Sequence, residues 1–229
     1  MGEIVIDSRL RERTFVFADR IDAAEWLAPL LKDFEGRAEE AVVLGIPAGG
    51  VPVALVLAER LGLPFDLIFV RKLHFPDNPE TGFGALSEHG VLMLNEDLAA
   101  YLDKAVVERV VEEERRALQE RMNVLRGPNK PLDLSGRVAI IVDDGLASGF
   151  TMLAAIREAR KRGAARVLVA VPTASASAAR LVAGEADGVY VANLRSGPRF
   201  AVAAAYTGWR DLALPEVRAM LRSWRKDAG

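Results

Sequence analysis

Cysteine is missing from the 229-residue chain, which removes disulfides and thiolate chemistry from consideration and fits a reducing, cytoplasmic setting. Histidine is nearly missing, with only His74 and His89. Neither has a cysteine or a carboxylate at metal-ligand spacing, so no zinc site is expected. Neither sign of charge dominates: 30 basic and 32 acidic residues leave a net charge of −2. That balance gives no basis for non-specific nucleic-acid binding, and no basic helix-turn-helix segment is visible. The N-terminal residues lack a basic region followed by an apolar core, so no signal peptide is expected. No apolar run approaches the roughly 20 residues of a membrane span. A Gly-x-x-x-x-Gly-Lys-Ser/Thr segment, which a P-loop nucleotidase would need, is also absent.

What is present is a large apolar fraction, 51%, enough for a sizeable core. Short β-branched runs near 41–46, 65–70, 138–142, 166–171 and 188–192 read as buried strands. Helical patterns separate them. One begins at Asp22 as cap and runs to Phe34, one covers 53–61, and a strongly helical stretch extends from Asn95 to Arg126. Others lie at 151–162, after Thr173 or Ser175, and at 215–224. Alternation of this kind predicts one α/β domain over residues 1–229, three-layered, with a mainly parallel central sheet of about five strands flanked by helices. The charge run 112–116 reads as a solvated helix face, with a homodimer surface as the alternative.

Residues 138–152 concentrate the chemistry. A five-residue apolar strand stops at two adjacent carboxylates, Asp143 and Asp144. A small-residue loop follows (Gly145, Ala147, Ser148, Gly149), and after Phe150, Thr151 opens a helix. In a parallel sheet this order puts acids and loop at the carboxyl edge, where such folds bind ligands. Small residues let backbone amides close on an anion, and the helix N-terminus adds its positive dipole end. Carboxylates repel phosphate, so their company needs a reason. A sugar phosphate supplies one, its phosphate in the loop and its hydroxyls on the acids.

Two further segments could complete such a site. Pro47-Ala48-Gly49-Gly50 links a strand to a helix, although glycines in a strand–helix loop often serve only to turn the chain. Arg71 and Lys72 end the third strand, where they either reach solvent or face an anionic ligand. Residues 73–84, rich in proline, glycine and polar groups, read as a long loop of the kind that forms a lid. His89 reads as part of a surface turn between the two arms of a hairpin.

The central stretch resembles the phosphoribosyl-diphosphate (PRPP) motif of type I phosphoribosyltransferases: apolar strand, two acids, small-residue loop, Thr, helix. The segments Pro47, Gly49 to Pro52, Arg71-Lys72-Leu73 and Asn95-Glu96-Asp97 are similar to those of family members of unassigned acceptor, which carry arginine where this chain has Ala48. The resemblance implies the type I phosphoribosyltransferase fold, with a helical insertion near 96–126 and a small variable segment near 194–229. It also implies a Mg²⁺-dependent transferase acting on PRPP and a small-molecule acceptor, expected to be a nucleobase, with pyrophosphate released. Gly145, Ala147, Ser148, Gly149, Phe150 and Thr151 would bind the 5-phosphate. Asp143 and Asp144 would hold the ribose hydroxyls and, with the substrate, Mg²⁺. Ala48, Gly49, Gly50 and Arg71 would meet the pyrophosphate, and Lys72 would assist its departure. Phe200, with Tyr206 and Trp209 nearby, has a faint likeness to a base-stacking segment. The alternative is a PRPP-binding regulatory protein with little transferase activity.

Overall fold

In the computed structural model, residues 1–197 and 199–227 are described, with the side chains of all but 79, 80, 226 and 227. Of the C-terminal variable segment, positions 198, 228 and 229 therefore lie outside the described residues.

The elements in chain order are β1 (Glu3–Ile6), α1 (Arg20–Leu27), β2 (Ala41–Gly45), α2 (Gly50–Leu61), β3 (Phe65–Leu67), β4 (Val70–Phe75), β5 (Asn78–Ser87) and β6 (Leu92–Leu94). Then come α3 (Glu96–Ala99), α4 (Lys104–Leu125), β7 (Val138–Val142), α5 (Phe150–Lys161), β8 (Arg166–Ser175), α6 (Ala176–Ala183), β9 (Gly188–Arg195) and α7 (Leu214–Asp227). Six strands form an all-parallel sheet in the order β1-β9-β8-β7-β2-β3, and β4-β5-β6 form a separate antiparallel sheet. The expected five strands become six because β1 adds an edge beside β9. No helix among the described residues is long and apolar enough to cross a membrane.

The central strands read as continuous apolar runs because both faces are covered. Ala139, Ile140, Ile141 and Val142 of β7 have no solvent exposure. One face packs on α5 and α6 through Ile141, Val169 and Ile156, the other on α1 and α2 through Ile140, Leu57 and Leu27. Each such side chain contributes about 1.5–3 kcal/mol by leaving water. A third apolar cluster joins α2, β3 and the small sheet to α4 and α7.

Several elements differ from the sequence reading. Asp19, not Asp22, caps α1, accepting from the amides of Ile21 and Asp22, while Asp22 reaches back to the Ala18 amide at 2.8 Å. Pro29 cannot continue an α-helix, so residues 28–34 form a 3-10 helix instead. The stretch 95–126 is two helices, separated before Asp103. The run 65–70 splits, its end belonging to β4 of the small sheet. The expected loop 73–84 is mostly strand, forming β4 and β5 around a tight turn. Its glycines serve close approach, since a Cβ on Gly82 would overlap the Lys72 side chain and one on Gly84 would overlap the Met93 carbonyl.

Candidate functional site at the carboxyl edge of the sheet

Strand β7 lies at the centre of the parallel sheet, between β8 and β2, and delivers Asp143 and Asp144 to its carboxyl edge. The following loop is tied down by the main chain. Leu146 donates its amide to the Thr173 carbonyl and accepts from the Ser175 amide, and the Ser175 hydroxyl donates to the Ala147 carbonyl at 2.9 Å. Ala147 and Ser148 are left exposed at the loop's tip. Gly149 sits at φ +90°, a left-handed conformation in which a side chain would be strained. It precedes α5, whose first turn has no side-chain cap. The leading amides of such a helix have no intrahelical acceptor and carry the positive end of its dipole. Phe150 begins the helix, one residue before the expected Thr151.

The 47–50 loop meets the acids directly. It follows β2, the neighbour of β7, and its Pro47–Ala48 peptide is cis. A Cβ on Gly49 would overlap the Asp144 carboxylate, and one on Gly50 would lie 2.8 Å from the Asp143 Cα. Both glycines are thus required by contact between the two loops, beyond any need to turn. The Gly50 amide is already committed, donating to the Ile46 carbonyl at 3.0 Å, so it is not among the free donors of this loop. Ala48 packs on the apolar cluster that α4 contributes to.

Sequence reasoning missed the most intimate partner of the acid pair. Arg20, first residue of α1, donates from Nε (2.9 Å) and Nη2 (2.8 Å) to the same oxygen of Asp144. Its Nη1 donates to the Arg210 carbonyl, and its guanidinium lies 4.1 Å from the centre of the Trp209 ring. With side-chain exposures of 9% and 15%, the pair is largely withdrawn from solvent. Partners 124 residues apart leave no spacing signal, and Arg20 looks like an ordinary first-turn residue. The Asp143 carboxyl is pushed well above the usual range by burial first, and then by the charge of Asp144. Burial also raises Asp144, but the Arg20 guanidinium opposes it. Asp143 is therefore the member that takes up a proton first.

The C-terminal segment buttresses this edge. The Tyr206 hydroxyl donates to the Asp144 carbonyl at 2.6 Å, and the Val202 side chain occupies the space a Cβ on Gly145 would need. Tyr206 is buried between Phe17 and Trp209. Tyr206 and Trp209 thus support the site's frame, while Phe200 lies under the Arg195 guanidinium.

The basic pair is carried on β4. Arg71 forms an ion pair with Glu114 of α4, and the Lys72 side chain runs over Gly82 of the adjacent strand. His89 sits, as expected, in an exposed turn between the hairpin arms β5 and β6, and carboxylates approach it there. Glu158 of α5 reaches it, with Glu88 beside both, so three potential ligand groups do converge. All are engaged as they stand: Glu158 with His89 and the Ser87 hydroxyl, Glu88 with Arg126 and Arg162. That cluster pins the small sheet to α5. A cavity of about 640 Å³ lined by Val124, Leu214 and Pro215 shares no residue with the acid-pair edge.

Residues 19–189 match the family model described as Phosphoribosyl transferase domain. The chain is 40% identical over 214 residues to a Mycobacterium tuberculosis H37Rv protein named Putative phosphoribosyl transferase Rv0571c, covering 93% of this chain and 48% of that one. It thus spans about half the length of the curated relative. Among solved structures, TT1426 from Thermus thermophilus superposes with a TM-score of 0.70 at 36% identity, covering 91% of this chain and 98% of that one.

Proposed function

This chain belongs to the phosphoribosyl transferase family, and from that premise we propose that it binds PRPP with Mg²⁺ and transfers the phosphoribosyl group to a nucleobase-like acceptor. The observation that carries the reading is the convergence, at one sheet edge, of a half-buried acid pair, a glycine loop in contact with it, and an uncapped helix N-terminus. Each component suits one part of PRPP. The α5 terminus, with Ser148 and Thr151, would take the 5-phosphate. Asp143 and Asp144 would hold the ribose hydroxyls. The Pro47 to Gly50 loop, with Arg71 and Lys72, would face the diphosphate.

In the reaction, the bond from the anomeric carbon to the diphosphate oxygen breaks and its electron pair leaves with pyrophosphate. A bond from an acceptor nitrogen to that carbon forms, and the acceptor's proton passes to solvent. No nucleophile of the protein is needed, so rate acceleration would come from alignment and from stabilising the leaving group. The oxygen-only donor set of Asp143 and Asp144 suits Mg²⁺, which when bound would offset the charge of the departing pyrophosphate. Arg20 would keep Asp144 oriented and ionised. Asp143, more readily protonated, can donate as well as accept toward a hydroxyl.

The test is calorimetric titration of Mg-PRPP into the wild type and into the double variant Asp143→Asn, Asp144→Asn. Binding should weaken by a factor of about 100 or more, the loss expected for two charge-assisted contacts. Unchanged binding by a folded double variant would refute the assignment.

A further inference from the structure

Beside the glycine loop, among the described side chains, two arginines share the carboxylate of Glu114. Arg121, on α4, donates from Nη1 to the Pro47 carbonyl at 3.3 Å, which sets its guanidinium against the loop that touches the acid pair. Arg71 approaches from β4. Glu114 is the acid that faces both arginines, and it is ion-paired with Arg71. Glu114 and Arg121 stand two helical turns apart, so they share one face of α4. The Nε of Arg121 is buried and has no hydrogen-bond partner among the described residues. Burial and the nearby Arg71 both push the Arg121 guanidinium below its ordinary pKa, which expresses the cost of holding two cations against one carboxylate there.

A half-buried cation whose Nε is left without a partner is costly to keep, and packing alone would favour an apolar residue. At position 48 the loop itself offers only a methyl group, packed toward α4. The cation that this wall presents therefore comes from the helix. The geometry points to Arg121 as the diphosphate-binding cation of the donor site, reaching the glycine loop from the inserted helix α4. This rests on the donor-site reading given above and names a residue for its least furnished wall. Diphosphate oxygens would meet the terminal N–H groups of the guanidinium and supply negative charge beside it. Arg71 would then be balanced by Glu114, and Arg121 by the ligand.

Three probes separate this role from a structural one: ribose 5-phosphate, which lacks the diphosphate; PRPP; and inorganic pyrophosphate, the last two with Mg²⁺. Affinities are measured by calorimetry on the wild type and on Arg121→Gln. The substitution should weaken PRPP and pyrophosphate about 10- to 100-fold, the loss of one hydrogen bond to a charged group, and leave ribose 5-phosphate within about twofold. Equal loss for all three ligands, or unchanged PRPP affinity, overturns the assignment. A wild type that binds none of the three would instead overturn the donor-site reading itself. If Arg121→Gln does not fold, the arginine Nε–H resonance missing from Arg121→Lys identifies Arg121 in the wild-type spectrum. That resonance should move on adding pyrophosphate and stay in place with ribose 5-phosphate. No movement with pyrophosphate contradicts the proposal.

Discussion

Asp143 lies at the buried end of β7, and its proton affinity is set by that position. Burial and the neighbouring Asp144 raise its pKa, so between the ordinary carboxylate range and the raised value the folded state holds a proton that the unfolded chain releases. The sign follows from that difference. Stability from this group is fully present below the unfolded pKa and is lost as pH rises through the folded one. Above the unfolded pKa the ligand-free protein bears the cost of this shifted ionisation, as a retained proton or as a charge beside a second carboxylate. Asp143→Asn should therefore melt higher than the wild type at pH 7–8, with the gap closing as pH falls through the raised pKa. A thermal-unfolding series from pH 4 to 8 checks this. An Asn variant less stable at pH 8 and equal at pH 4 would show that the charge is well accommodated. The same variant should bind PRPP less well, so stability and ligand affinity should move in opposite directions.

Two strand–helix units, β2-loop-α2 and β7-loop-α5, meet edge to edge, and the contact admits no side chain at Gly49. That residue has φ −64°, which any amino acid adopts, so Gly49→Ala introduces crowding without backbone strain. The added methyl must displace either the Asp144 carboxylate with its Arg20 pair or the 47–50 loop. Overpacking of this kind costs about 1–3 kcal/mol. Gly49→Ala should lower the melting temperature and, by parting the two loops, weaken PRPP binding more than ribose 5-phosphate binding. An alanine variant matching the wild type in both would show that the loops are not in contact. At this scale the sequence was informative where local pattern decides structure. The run 138–142, its acids and the helix after Gly149 were readable because burial on both faces leaves an unbroken apolar strand. The stretch 73–84 was not, because Pro76, Gly82 and Gly84 carry turn chemistry, whereas the two glycines answer to cross-strand crowding. Strand β1 was also unread, its four residues becoming a strand only through pairing with β9, far away in the chain.

The whole molecule gathers its site from segments that are remote in sequence. Arg20 comes from the first helix, the glycine loop from β2, the acids from β7, and Tyr206 and Trp209 from the C-terminal segment. The acids and loops could be recognised as strand ends. Arg20, Arg121 and Glu158 could not, since each gains its role only when distant elements pack together. Tertiary placement also redirected residues that the sequence singled out, engaging Arg71 with Glu114 and turning Tyr206 to the support of Asp144. The small antiparallel sheet, pinned to α5 through Glu158, positions β4 with its two basic residues. We propose that this assembly is a PRPP donor site that carries out transfer. Its most direct test mixes the protein, Mg²⁺ and PRPP with a panel of purine and pyrimidine bases and follows pyrophosphate. The account predicts release that requires both Mg²⁺ and one class of base, with the matching nucleoside monophosphate formed in equal amount. Binding of PRPP with no base-dependent release from any member of the panel would contradict it, and would describe a PRPP-binding regulatory protein instead.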